Sequence, residues 1–274
     1  MERIEARHLI LIGVFHKAWK WEIEDVLIFD DFDSWSGPFG PIPVDVTFRK
    51  AVKEELSGKT FIVSNEYHQA EHSLEAFVAF IQHFDPEASI LPILVPYMGW
   101  DRMDQLARDL SGAVSEVMTG QGLRWGKDVQ ILISNDSVHY GDQGWGGKNY
   151  APFGAGTAGL SMAKERDLTL IRTHLLGPIE PGKMKGLLYS LVDESDVHEY
   201  RVTWCGRFSV PFGVCFTYRL AEDLGEDTPH GYLLGYGTSV ELGELPVRDL
   251  GLGVTAPANL HHWVAYSAVG YLSR

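Results

Sequence analysis

Three short runs of branched apolar residues constrain this chain more than any other feature: HLILIGV (8–14), SILPILV (89–95) and VQILIS (129–134). Each is apolar at nearly every position rather than at alternate ones. That pattern suits strands buried on both faces, as in a parallel sheet covered by helices. Between the second and third runs, Met103, Leu106, Leu110, Val114 and Val117 recur at helical spacing and predict a crossover helix over 101–118. Ahead of the second run, EHSLEAFVAFIQHF (71–84) carries Leu74, Phe77, Val78, Ile81 and Phe84 on one stripe and predicts the first long helix, opening at EHSLE. Strand and helix alternate. The expected fold is α/β, a three-layer sandwich with a mainly parallel central sheet, occupying 1–274 as one domain.

The rest is less regular. Residues 17–46, rich in Trp, Gly, Pro and Asp, read as a long connection with room for short strands. The glycine-rich stretch DQGWGGKNYAPFGAG (142–156) reads as a loop, 156–165 as a helix, and 264–272 as a late strand.

Composition excludes some partners. With 23 Lys and Arg against 37 Asp and Glu, the formal charge is −14, which argues against nucleic acid, because phosphate binding needs a basic face. The opening MERIEARHLILIGVF has only a short apolar run and no small-residue cleavage site, so it reads as a first strand rather than a leader. The run from Ile90 to Trp100 is broken by Pro92 and Pro96 and is too short for a bilayer, so no membrane partner is expected. Two cysteines, Cys205 and Cys215, without a CxxC spacing suit the reducing cytosol.

In an open α/β sheet, ligands collect beyond the carboxyl ends of the strands. His16 lies just past the first apolar run and His139 just past the third, so two loops can bring two imidazoles together. Asp136, three residues before His139, can fix its tautomer and raise its basicity. Taken alone, Asp136 reads more readily as the cap of a turn, and His16 as an ordinary loop residue. Glu71 and Ser73 read as helix N-terminal charge and cap, with His72 the residue that could enter the cleft of His16. Cys205, in the turn-forming WCGR, is a candidate soft ligand, whereas Cys215 reads as a small buried apolar residue. The adjacent His261 and His262 read as structural or surface residues. P-loop, HExxH and GxSxG patterns are absent from the sequence.

In order, the blocks HLILIGVFHKAW, PFGPIPVD (38–45), AEHSLE (70–75), SNDSVHYG (134–141), WCGRFSVPFG (204–213) and the closing GYGTS…VAYSAVGYL resemble the Memo family, which includes the AmmeMemoRadiSam system protein B. The resemblance runs from Leu9 to Leu272. It implies a fold similar to the class III extradiol ring-cleavage dioxygenases, which hold non-haem iron with two histidines and a carboxylate and use a further histidine for acid–base work. By motif position, the resemblance makes His16 a metal-binding histidine and His139 the acid–base histidine. It puts Cys205 in the place of the carboxylate ligand and lets Asp136 and His72 line the pocket. The implied cofactor is Fe(II) or copper. The family's opening strand, ending in Pro-His-Ala-Gly-Tyr and supplying another metal-binding histidine, has no counterpart here. The chain is therefore expected to start at the family's next strand, leaving a sheet edge open to association as a homodimer. His8 precedes its strand and is not a substitute.

Three functions compete at this stage. One is a metal-dependent redox protein or oxygenase. A second is a non-catalytic module binding a small molecule or peptide in the same cleft, supported by Trp19, Trp21, Trp35, Trp145 and Trp204. The third is a degenerate homologue kept as a scaffold.

Overall fold

The computed structural model describes residues 6–241 and 259–273; the part of the opening stretch before Ala6 lies outside them. The first apolar run is β1 (His8–Val14), buried from Leu9 onward. The connection after it is structured: α1 (Ala18–Trp21), β2 (Leu27–Phe29) and the hairpin β3 (Ser34–Gly37) and β4 (Gly40–Pro43). Next come α2 (Val46–Glu55), β5 (Phe61–Val63), α3 (Asn65–Ala70) and α4 (Glu75–Phe84). Asp45 caps α2 by accepting from Phe48 N at 3.0 Å, and Ser64 caps α3 by accepting from Tyr67 N. The second and third apolar runs are β6 (Ser89–Val95) and β7 (Val129–Ile133), joined by α5 (Trp100–Gln121). The five residues expected on the buried stripe of α5 are all in the core.

These strands make a five-stranded sheet in the order β5-β2-β6-β1-β7. β1 runs parallel to both β6 and β7, and β2 is parallel to β5 but antiparallel to β6. The chain is therefore mixed α/β with a mostly parallel central sheet. β7 departs from the sequence reading: only Val129 is fully buried, and the residues after it are half-buried. The reason is its place at the sheet's edge, where among the described residues it has one neighbour.

The second half adds β8 (His139–Tyr140), α6 (Thr157–Leu170) running into a π-helical turn at Ile171–Leu175, β9 (Gly177–Pro178), α7 (Pro181–Leu191), α8 (Ser209–Leu224), β10 (His230–Thr238) and β11 (Trp263–Leu272). Four of these form an antiparallel sheet, β8-β11-β10-β9. It is stitched to the end of β7: Ser137 N donates to Ala265 O and Ala265 N to Val138 O, both at 2.9 Å.

The helix reading of EHSLE is corrected. Helix α4 begins at Glu75, and Glu71 to Leu74 form the connection from α3, because the Glu71 carboxylate turns inward instead of lying along a helix. That connection packs directly on the end of β1. A Cβ on Gly13 would lie 2.5 Å from Ser73 Oγ and 2.8 Å from the Leu74 side chain, while Ser73 Oγ donates to Val14 O at 2.8 Å. Gly13→Ala should therefore cost about 1–3 kcal/mol by overpacking. Gly112→Ala, in α5 with open space at its Cβ, should gain about 0.5–1 kcal/mol from helix propensity. Urea unfolding of the two variants checks the contrast; equal effects would remove the close approach from the argument.

Candidate functional site

Beyond the carboxyl ends of β1 and β7 the fold gathers two groups of metal-type donors, His16 with Glu71 and His72, and Asp136 with His139 and Cys205; within each group the donor atoms lie within 4.8 Å of one another. Four segments distant in sequence converge there, and those carrying His16 and Asp136 do so because parallel β1 and β7 end on one side of the sheet.

In the first group Glu71 is the organiser. Its side chain is 2% exposed and accepts from His16 N at 2.6 Å, His72 N at 2.7 Å and Ser73 N at 3.0 Å, and it meets His16 Nδ1 at 2.8 Å. Burial works to raise its pKa, but the hydrogen bonds it accepts from His16 and His72 outweigh it and hold the carboxyl below its ordinary value. With Nδ1 bound to the carboxylate, His16 keeps Nε2 buried and, among the described residues, without a partner. A carboxylate on one ring nitrogen and a free lone pair on the other is the arrangement that metal-ligating histidines show. His72 stacks on His16 with ring centres 4.9 Å apart and 11° between planes, and its side chain is largely exposed. Sequence reasoning assigned Glu71 to helix electrostatics; the signal it left was an acidic residue inside EHS, which is ambiguous until its side-chain direction is known.

In the second group Cys205 Sγ lies 3.1 Å from His139 Nε2, and Asp136 Oδ2 lies 3.6 Å from that same nitrogen. A relay of the protease kind needs the carboxylate on the opposite ring nitrogen. Here thiol, imidazole and carboxylate point at one place, which suits a shared ion better than a nucleophile. Nor is the thiol activated. Burial, helped by the negative charges of Asp136 and Glu71, pushes Cys205 up to about 12, against the opposing charge of Arg207. The influence of Glu71 on Cys205 ties the two groups together. So do direct bonds: Ser134 Oγ donates to Ser73 O, and Gly206 N donates to Asn135 Oδ1 at 3.2 Å. Gly206 has to be glycine, since its Cβ would collide with the Asn135 carboxamide.

Two further residues went unread in the sequence. His262, expected to be structural or superficial, stacks on Trp145 with ring centres 4.0 Å apart, and Trp145 in turn lies 5.2 Å from His139, so the glycine-rich loop builds an aromatic wall on the second group. Asp167, fully buried in α6, accepts from Trp204 Nε1 at 2.5 Å, Tyr236 OH at 2.9 Å and, weakly, Val138 N at 3.4 Å. It thereby braces the neighbours of both Cys205 and His139. Cys215 is buried, as expected, and His8 pairs with Asp45 at the far end of β1.

An α/β protein with paired histidine, carboxylate and thiol donors beyond its parallel strands is thus the class that fold and geometry define. The chain belongs to the Memo-like protein family, whose match covers residues 1–243. It is 27% identical over 218 residues to a MEMO1 family protein of Pyrococcus horikoshii, covering 79% of this chain and 66% of that one. It is 30% identical over 210 residues to a MEMO1 family protein of Thermococcus kodakarensis, covering 76% and 63%. The matched region thus spans just under two thirds of the length of these curated relatives. No helix among the described residues is long and apolar enough to cross a membrane.

Asp167 gives a pH test. Burial raises its carboxyl from the ordinary 3.8 to about 6, against the hydrogen bonds it accepts. Between about pH 4 and 6 the folded state therefore binds the proton that the unfolded chain has released, and this residue's contribution to stability falls as pH rises through that window. Asp167→Asn should remove that dependence. It should also cost about 1–3 kcal/mol, because its amide NH₂ opposes a buried donor. Urea unfolding across the window should show the advantage of the native residue largest at the acid end; parallel curves for the two proteins would refute the brace.

Proposed function

We propose that this protein binds one Fe(II) or copper ion in the cleft beyond β1 and β7, and that it uses the ion for redox chemistry of the oxygenase type on a small organic substrate. The observation that supports the reading is the presence, beyond β1 and β7, of two donor groups: His16 with Glu71 and His72, its Nε2 without a partner among the described residues, and Cys205 with His139 and Asp136. His16 and Cys205 would hold the ion, with His139 and Asp136 beside the thiol. Imidazole and thiolate are donors that suit iron and copper. A bound ion of this kind supplies one-electron chemistry and a site for dioxygen.

The chain's own groups have definite parts in this reading. Cys205 must lose its proton to become a ligand, and His139 Nε2, 3.1 Å from Sγ, is placed to take it. Asp136 Oδ2 stabilises the imidazolium that results. The protonated His139 is then a general acid at the cleft. Glu71 fixes the His16 ring and its tautomer, and the Trp145 wall limits water on the His139 side. The same reading takes residues 1–274 as a single Memo-like domain, with the three-layer arrangement of the class III extradiol dioxygenases. It also places the protein in the reducing cytosol, where a thiol ligand stays reduced.

A second reading, a non-catalytic module for a planar small molecule or peptide, draws on the half-buried aromatic wall of Trp145 and His262. The two part on metal.

Untagged protein loaded anaerobically should hold about one equivalent of iron or copper by elemental analysis. His16→Ala and Cys205→Ser should each abolish stoichiometric binding with circular dichroism unchanged. Glu71→Gln, which keeps the side chain's shape, should weaken it by about 10- to 100-fold. Affinity should fall as pH is lowered, since the thiol and imidazole ligands take up protons. Native protein that binds neither metal would leave only the second reading.

A further inference from the structure

A separate cavity lies under the β3–β4 hairpin, about 480 Å³ in volume, between that hairpin and the helices α3 and α4. Phe32, Trp35, His68, Gln69, Glu75 and Val78 are among its walls. None of the residues assigned to the metal cleft lines it.

The cavity is built rather than incidental. Trp35 is pinned by Nε1 donating to Asp30 Oδ2 at 2.8 Å, and Asp30 is fully buried against Arg49, whose Nη1 donates to its Oδ1 at 2.6 Å and to Phe32 O at 2.8 Å. A buried ion pair thus fixes both the indole and the backbone of Phe32. The hairpin is clamped on α4 by Gln82, which accepts from Phe39 N at 3.3 Å and donates to Gly40 O at 2.8 Å. Trp35 meets the ring of His68 edge to face, with centres 5.7 Å apart and 70° between planes.

His68 supplies the unexplained group. It is only 5% exposed, and its Nε2 lies 3.1 Å from Ile28 O. A carbonyl only accepts, so Nε2 carries the hydrogen and Nδ1 is a bare lone pair. Among the described residues that Nδ1 has no partner. Burial lowers the pKa of His68 to about 4, so the ring is neutral near neutral pH and the lone pair is available. A buried acceptor without a donor is costly, and His68 bears that cost in the wall of this cavity.

Charge and shape narrow the ligand. Glu75 is the one charged side chain on the cavity wall, no Lys or Arg lines it, and among the described residues Glu75 has no cationic partner. The chain's formal charge of −14 adds to the preference for cations. Phe32 and Trp35 offer aromatic surface, which attracts planar rings and ammonium groups.

We propose that this cavity is a second ligand site, taking a small protonated amine carried on an aromatic ring: the ring packs against Trp35 and Phe32, and the ammonium meets Glu75. The site does not rest on the metal reading, and the two can fail independently.

Tryptamine is the probe, titrated calorimetrically in the presence of a chelator so that any metal in the cleft is excluded, with indole-3-propionate as the ring-matched anion. Tryptamine should bind one to one and roughly tenfold or more tighter than the anion, as an ion pair with Glu75 at a partly enclosed site requires. Glu75→Gln, a change at an exposed position that should leave folding intact, should weaken tryptamine by about tenfold and erase the discrimination. Trp35→Leu should weaken both ligands. Absence of saturable binding at millimolar tryptamine, equal affinity for the two ligands, or binding unaltered in Glu75→Gln would each overturn the proposal.

Discussion

The buried Glu71 carboxylate is the interaction on which the rest of the cleft depends. It accepts three backbone N–H groups, from His16, His72 and Ser73, as well as holding the His16 ring. One side chain therefore ties the end of β1 to the connection between α3 and α4. A carboxylate so enclosed is tolerable only because its charge is met on every side, and that is why it stays ionised despite burial. Ser73, fixed by the same bonds, presents its carbonyl to Ser134, and Gly206 is bonded to Asn135 beside it. The four segments that make the cleft are thus linked in one hydrogen-bonded chain.

The cleft itself balances opposing charges. Cys205 sits among Asp136, Glu71 and buried surroundings, all of which disfavour a thiolate. Arg207 works the other way, its guanidinium held buried against Tyr200 at 4.1 Å, with Tyr97 and Phe208 nearby. Without a cation the thiol keeps its proton, which protects it from reaction; with one, thiol and carboxylates become attractive neighbours. The same residues thus explain an inert cysteine and are the ones the proposed metal reading draws on.

Much of the architecture was legible because it follows from local pattern. The three apolar runs had to be strands, and the stripe of Met103 to Val117 had to be a helix. The short elements between residues 17 and 70 were not, since strands of three or four residues and a helix of six carry too little periodicity to separate from loop. The site was partly legible. Strand ends located His16 and His139, local spacing added Asp136, residue type made Cys205 a candidate ligand, and the family blocks gave these residues their roles. Glu71 was misread because acidic residues before a helix are common, and only the inward turn of its side chain distinguishes an organiser from a cap. Asp167 left no trace, as one aspartate among charged residues of a helix looks solvent-facing. His262 and Trp145 meet through a loop and a strand more than a hundred residues apart, beyond any spacing rule.

Sequence alone settled the residue types, the alternation of strand and helix, and the set of histidines, acids and thiol from which chemistry can be drawn. Tertiary structure decided which of them meet. Parallel pairing of β1 with β7 sends two loops to the same side of the sheet, and the stitch of β11 onto Val138 turns His139 toward Cys205. Local pattern reports how a segment buries itself; distances between segments depend on the packing of the whole chain, and the donor geometry is made of those distances.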